Sequence, residues 1–180
     1  MNKPVSVFVK IASLVTVAAA IGLSAPAEKL NVLRVGPGQA FSKIQDAVDA
    51  ARPGDTVLVY PSTYRESVSV TKNHLSIVAQ GSGVVVNPSP VQKVACFEVK
   101  ADHVVIQGFD LTGAFMAPGI RFEGSHNEFS GNHIYGLGAF GVNALSCRDP
   151  NGGSDHNLIA DNEITGADLG IVVGGEGVTP

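Results

Sequence analysis

A short segment recurs along the chain. It reads HVVIQGFDLTG at 103–113, HNEFSGNHIYG at 126–136 and HNLIADNEITG at 156–166. Counting on from each histidine, the third residue is apolar (Ile106, Phe129, Ile159), the eighth is apolar (Leu111, Ile134, Ile164) and the tenth is glycine (Gly113, Gly136, Gly166). The copies restart after 23 and 30 residues, and a fainter one opens at His74, 29 residues before His103, with Ile77 in the third column. A unit this short cannot bury its apolar positions alone. It has to stack on its neighbours, so the repeat limits the fold to a solenoid before any other feature is read.

The segments between the repeats alternate. Val68 and Val70 are flanked by Ser67, Ser69 and Thr71; Phe97 and Val99 by Cys96, Glu98 and Lys100; Ile120 and Phe122 by Gly119, Arg121 and Glu123. Alternation of this kind marks strands with one buried face. Aligned on the histidines, Val68, Phe97 and Ile120 form one inward column and Val70, Val99 and Phe122 a second, with Val142/Ala144 and Ile171/Val173 expected to continue them. Charged residues are only 16% of the chain, tryptophan is absent and there are 21 glycines, a composition of short strands and tight turns.

Ahead of the repeat, 30–35 reads as a strand. Phe41, Ile44, Ala47, Val48 and Ala51 then fall at helical spacing until Arg52-Pro53-Gly54. A strand over 55–60 and a turn over 61–64 follow. The expected fold is all-β: a right-handed parallel β-helix of about five coils, estimated from the repeat period, with an N-terminal amphipathic capping helix. The expected division is a signal peptide over 1–27, the strand and capping helix over 28–54, and coils over 55–180. The coils are expected to be incomplete at the C-terminus, because 174–180 leave a strand with no cap.

The leader rests on Lys3 and Lys10, an apolar run over 11–23 and the small-x-small site Ala25-Pro26-Ala27, which makes Glu28 the new N-terminus. Cleavage removes two lysines and no acid, taking the formal charge from −4 to −6. With no basic block, nucleic acid is excluded as a partner. The mature chain is expected to be secreted or periplasmic, free of the membrane and monomeric.

The stretch over 35–66, VGPGQAFSKIQDAVDAARPGDTVLVYPSTYRE, resembles the opening of secreted β-helix proteins of the pectate-lyase-like superfamily. The later units resemble the repeats of carbohydrate-binding proteins and sugar hydrolases. The resemblance implies a polysaccharide partner. It also implies an enzyme, if the chain is one, of the polysaccharide lyase or uronate C5-epimerase type, removing a proton beside a uronate carboxylate, with calcium as the cofactor of a lyase. Two other readings stand beside it: a non-catalytic surface or adhesion module that binds carbohydrate, and a periplasmic metal-delivery β-helix. The last needs soft ligands, and the chain has two Met and two Cys.

On the enzyme reading, substrate lies along one parallel sheet. Arg121 would neutralise the developing charge, and Asp149 or Glu98 would place the substrate. Glu98, Glu123, Asn143 and Arg148 complete the expected contacts. The outward columns read Ser69, Glu98, Arg121, Asn143 and Thr71, Lys100, Glu123, Leu145. The same residues also suit simple ion pairs between coils, Glu98 over Arg121 and Lys100 over Glu123. The insertion over 147–155 resembles the Asp-Pro-His motif of alginate C5-epimerases. Asp149 and Pro150 match, but Asn151 stands where the histidine belongs, and Leu169 precedes Gly170-Ile171 where a second is expected.

Three further columns are visible. His74, His103, His126 and His156 are read as bend residues in preference to metal ligands, since vertical stacking offers one nitrogen per coil. Asp110, His133 and Glu163 make an outward acid–His–acid row. Asn127, Asn132, Asn157 and Asn162 are assigned to holding turn backbone. Cys96 and Cys147 fall about two coils apart, on the order of 10 Å at strand spacing, too far for a disulfide. Both are expected as free thiols.

Overall fold

The computed structural model describes residues 30–89, 93–137, 143–147, 154–167 and 169–173. The expected leader and residues 148–153 of the insertion lie outside them.

One short helix and sixteen strands make up the described chain, and every strand pairing is parallel. The first sheet stacks β1 (Val32–Val35), β2 (Thr56–Val59), β5 (Ser76–Ala79), β8 (Val105–Gln107), β11 (Glu128–Ser130) and β14 (Leu158–Ala160) in that order. The second stacks β3 (Ser62–Tyr64), β6 (Val84–Val86), β9 (Asp110–Leu111), β12 (His133–Tyr135) and β15 (Glu163–Thr165). The third stacks β4 (Val68–Val70), β7 (Phe97–Lys100), β10 (Ile120–Glu123), β13 (Asn143–Cys147) and β16 (Leu169–Val173). From β2 onward the chain visits first, second and third sheet in turn, five times. This course is consistent with a β-helix-like solenoid.

The repeat columns are the registers of this stack. Ile77, Ile106, Phe129 and Ile159 lie in one row of the first sheet. Leu111, Ile134 and Ile164 lie in one row of the second. Val68, Phe97 and Ile120 share a row of the third, and so do Val70, Val99 and Phe122. Most of these side chains are fully buried, each worth roughly 1.5–3 kcal/mol against exposure. Phe97 meets Phe109 edge-on with ring centroids 5.2 Å apart, so adjacent coils interlock across the core.

Three expectations are corrected. The third-sheet rows continue through Leu145 and Cys147, opposite Ile120 and Phe122, not through Val142 and Ala144. Ile120 thus pairs with the residue three positions beyond the expected Val142, an odd displacement of register. Asn143 consequently leaves the row of Arg121 and pairs with Leu169, while Ser146 sits opposite Arg121; Leu145 likewise pairs with Ile120 and not with Glu123. Second, Ser62–Tyr64 is strand β3 and not a turn, paired through Ser62, Thr63 and Tyr64 with Val84, Val85 and Val86. With only Tyr64 turned inward, three residues carry too little alternation to read as a strand. Third, the helix α1 spans Ile44–Ala50. Phe41 precedes it, in a parallel bridge with Val35, and Ala51 has extended backbone.

The helix buries Ile44, Ala47 and Val48 and packs on β1, β2 and β4, at the first coil. Both of its ends are held by charged side chains from that coil. The Glu66 carboxylate accepts the amides of Ile44 at 2.9 Å and Gln45 at 3.0 Å. Lys72 Nζ donates to the carbonyls of Val48 at 3.2 Å, Asp49 at 2.5 Å and Ala51 at 2.9 Å. An acid at the N-terminus and a base at the C-terminus satisfy orphan backbone groups and oppose the helix dipole.

Corners between sheets are held by side-chain ladders. Asn132 Oδ1 accepts the amide of Phe109 at 3.0 Å, and Asn162 Oδ1 accepts that of Asn132 at 3.0 Å. Asn127 Oδ1 accepts the amide of Val104 at 2.8 Å, and Asn157 Oδ1 that of Asn127 at 2.8 Å. A third ladder runs through the residues that precede the histidines: Asn73 accepts from the amide of Asp102, Asp102 from Ser125, and Ser125 Oγ from Asp155. The asparagines therefore serve backbone, as expected.

Candidate functional site

Arg121, Glu98 and Glu123 do share the outer face of the third sheet. Parity along β7 and β10 turns them away from the core, with Arg121 directly beside Glu98 and Glu123 beside Lys100. Arg121 Nη1 donates to Glu98 Oε1 at 2.5 Å. Lys100 Nζ lies 3.6 Å from Glu123 Oε1. Each cation thus already has its anion. Arg121 Nε is buried with no partner among the described residues, while the side chain as a whole is partly exposed. A uronate carboxylate would have to displace Glu98 to reach it. Arg148 and Asp149 lie outside the described residues, and Asn143 is placed only by its backbone, off the row of Arg121. Of the expected set, the described residues bring Arg121, Glu98 and Glu123 onto one face and set Asn143 off the row of Arg121.

The histidines stack. His74 and His103 have ring centroids 4.5 Å apart, His103 and His126 4.8 Å, and His126 and His156 4.9 Å. All four residues are exposed and have φ between 56° and 60°, the left-handed bend that the sequence column predicts. Face-to-face rings aim their nitrogens in parallel and do not converge on one point. Among the described residues no group of three His, Cys, Asp or Glu side chains is placed to hold a metal ion, and the donor set fits neither calcium nor a soft metal. On the second sheet, His133 pairs in register with Asp110 and Glu163. Its Nδ1 lies 3.2 Å from Asp110 Oδ1, and its ring stacks on Tyr135 at 4.5 Å. His133 and Asp110 are both partly exposed, so the row forms a cross-strand ladder at the surface of the second sheet.

A cleft that the sequence reading missed lies at the other end of the molecule. It has a volume of about 660 Å³ and runs between the loop after β1, the start of α1, and residues 62–67 of the first coil. Its shape depends on Tyr64, which is buried and donates from its hydroxyl to the carbonyls of Tyr60 at 2.7 Å and Val35 at 3.3 Å. Burial raises the phenol above its ordinary pKa, and the charge of Glu66 adds to the shift. The cleft draws on three separate segments that only the folded cap brings together, so no local motif announces it.

Two other groups have displaced protonation. The Asp55 carboxylate accepts the amides of Arg52 at 2.8 Å and Asn31 at 2.9 Å, and these bonds hold its pKa down although burial opposes them. Burial pushes the Cys96 thiol up to about 12, against the lowering effect of its contacts with backbone. Cys96 is a free thiol, as expected. The side chain of Cys147 lies outside the described ones.

The geometry describes an all-parallel stack with paired outer charges and a cleft at its capped end. No family model matches the chain. It is similar to a cell surface glycoprotein of Methanothermus fervidus, 30% identical over 95 residues, which are 52% of this chain. The chain spans 16% of that protein's length. Among the described residues no helix is long and apolar enough to cross a membrane.

Proposed function

We propose that this protein is an exported, surface-associated module: a right-handed parallel β-helix of the pectate-lyase-like architecture that engages polysaccharide without cleaving it. In this reading, residues 1–27 are the leader, 28–54 the lid and 55–180 the coils. The observation that carries it is the similarity over 95 residues to a protein described as a cell surface glycoprotein. The Glu98–Arg121 pair supports the non-catalytic part, because the cation a lyase or epimerase needs is already neutralised. Glycosylation is not carried over. The chain's one Asn-x-Ser/Thr triplet is Asn87-Pro88-Ser89, and proline in the middle position blocks that acceptor.

Surface location is tested by treating intact cells with a membrane-impermeant amine reagent and mapping the labelled peptides. Lys93 and Lys100, both exposed, are expected to carry label before the cells are broken. Label appearing only after lysis would overturn the location. Purified protein incubated with pectate or alginate, with and without calcium, is expected to give no rise in absorbance near about 235 nm, the signature of the unsaturated uronate left by elimination. A rise abolished by Arg121→Ala would restore the lyase.

A further inference from the structure

We propose that the cleft at the capped end is the binding site of this module, and that its ligand is a short acidic saccharide. The inference rests on the polysaccharide-binding reading above and replaces the flat sheet face with a formed site. At about 660 Å³ the cleft is of a size that holds a small ligand. Its lining includes the hydroxyl residues Ser42, Ser62, Thr63 and Ser67. Hydroxyl groups both donate and accept, so a wall of them suits a ligand that is itself a set of hydroxyls. Large apolar walls, which a lipid or an aromatic cofactor would call for, are missing from the lining: the buried Tyr64 is its one aromatic residue.

Charge narrows the class. Lys43 and Arg65 both line the cleft, both are exposed, and neither enters an ion pair among the described residues. This separates them from Arg121 and Lys100, which are already paired. Two acids are close by. Glu66 spends both oxygens on the amides of Ile44 and Gln45. Asp46, in the first turn of α1, is the remaining carboxylate. Gln45 is committed to Ser69 and Asp49, and the Tyr64 hydroxyl to two carbonyls. What is left for a ligand is, beside the Asp46 carboxylate, hydroxyls and two cations, so the uncommitted charge of the cleft is net positive. A carboxylated sugar meets both, its hydroxyls against the serine and threonine side chains and its carboxylate against Lys43 or Arg65. The start of the helix contributes nothing, since Glu66 already closes it.

The test is titration of the purified chain with tri-galacturonate, followed by amide chemical shifts and by calorimetry, alongside the neutral galactotriose. Binding is expected for the acidic sugar, with shifts confined to 36–46 and 62–67. Lys43→Ala and Arg65→Ala are each expected to weaken it about tenfold, the loss of one charge-assisted contact, with urea midpoints unchanged because both side chains are exposed. Lys43→Arg is expected to restore binding. The double variant Glu98→Gln/Arg121→Gln, on the third sheet, is expected to leave affinity as it was. The proposal falls if tri-galacturonate does not bind, if galactotriose binds equally well, or if the sheet variant abolishes binding while the cleft variants do not. An acidic peptide of aspartates that binds more tightly than the sugar, through the same two cations, would also overturn it. Binding by purified protein is independent of cellular location, so loss of this site and loss of the surface assignment are read separately.

Discussion

Cys96 shows how much of a residue's chemistry is set by its row in the stack. It sits just before the inward Phe97, fully enclosed, with Sγ 3.5 Å from the carbonyls of Val86 and Thr112. Nothing there solvates a thiolate, which is why its pKa rises from an ordinary 9.0 to about 12. The consequence for stability has a definite sign. Below pH 9 the thiol is neutral whether the chain is folded or not. Between 9 and about 12 only the unfolded chain ionises, so its advantage grows and stability is lost as pH rises. Tyr64, also raised, pulls in the same direction. Urea midpoints measured from pH 8 to 11 are therefore expected to fall, and to fall less steeply in Cys96→Ala, compared with its own value at pH 8. Equal slopes in the two proteins would show that Cys96 ionises as easily folded as unfolded. Such a chain would also modify Cys96 rapidly with iodoacetamide without denaturant, where the buried neutral thiol is expected to be inert.

Elements are held by partners distant in sequence, and α1 is the plainest case. Seven residues are too few for a helix to persist alone. Lys43, at the N-cap, offers no side-chain bond. Glu66 and Lys72, 22 and 21 or more residues further on, close the two ends. Glu66→Ala is expected to cost about 1–2 kcal/mol, as the loss of an N-cap does. Glu66→Gln should cost less, since the amide oxygen still accepts one bond. Equilibrium urea unfolding decides; a Glu66→Ala value within about 0.5 kcal/mol of wild type, the range of an ordinary surface change, would refute the clamp. The same element shows where sequence reading succeeds and stops. Ile44, Ala47 and Val48 were legible as a buried stripe because periodicity is local. The helix ends were not, because their caps come from another coil. The strands followed the same rule: Ile106, Phe129 and Ile159 align by the histidine column alone, whereas β13 slipped because nothing in 136–142 reveals the loop length. Of the site, the ion pairs on the third sheet were legible as columns. The cleft was not, since Lys43 and Arg65 come to line one space only once the lid has folded onto the first coil.

At the scale of the whole molecule, stacking solves one problem and creates another. Each coil covers the apolar interior and the open backbone edges of the coil before it, but the first coil has none before it. Here β1 pairs along the free edge of β2, from Val32 opposite Thr56 to Val35 opposite Val59. The helix meanwhile lays Ile44, Ala47 and Val48 over the end of the core. An uncovered parallel edge with Val57 and Val59 at its margin is a template for another chain. Removing the chain up to residue 54 is therefore expected to do more than lower stability. It should yield species that grow through β2, visible as a mass that rises with concentration in light scattering, beyond that of the intact chain, and as thioflavin-positive material. A point variant separates edge exposure from simple unfolding. Ile44→Asp leaves β1 in place and charges only the buried face of the helix, so it is expected to lower the urea midpoint yet keep the mass of the intact chain. Were both proteins to aggregate alike, loss of core packing would suffice and the strand would have no protective part. Were the deletion to stay monomeric and folded, 28–54 would be an appendage to the stack and not its lid.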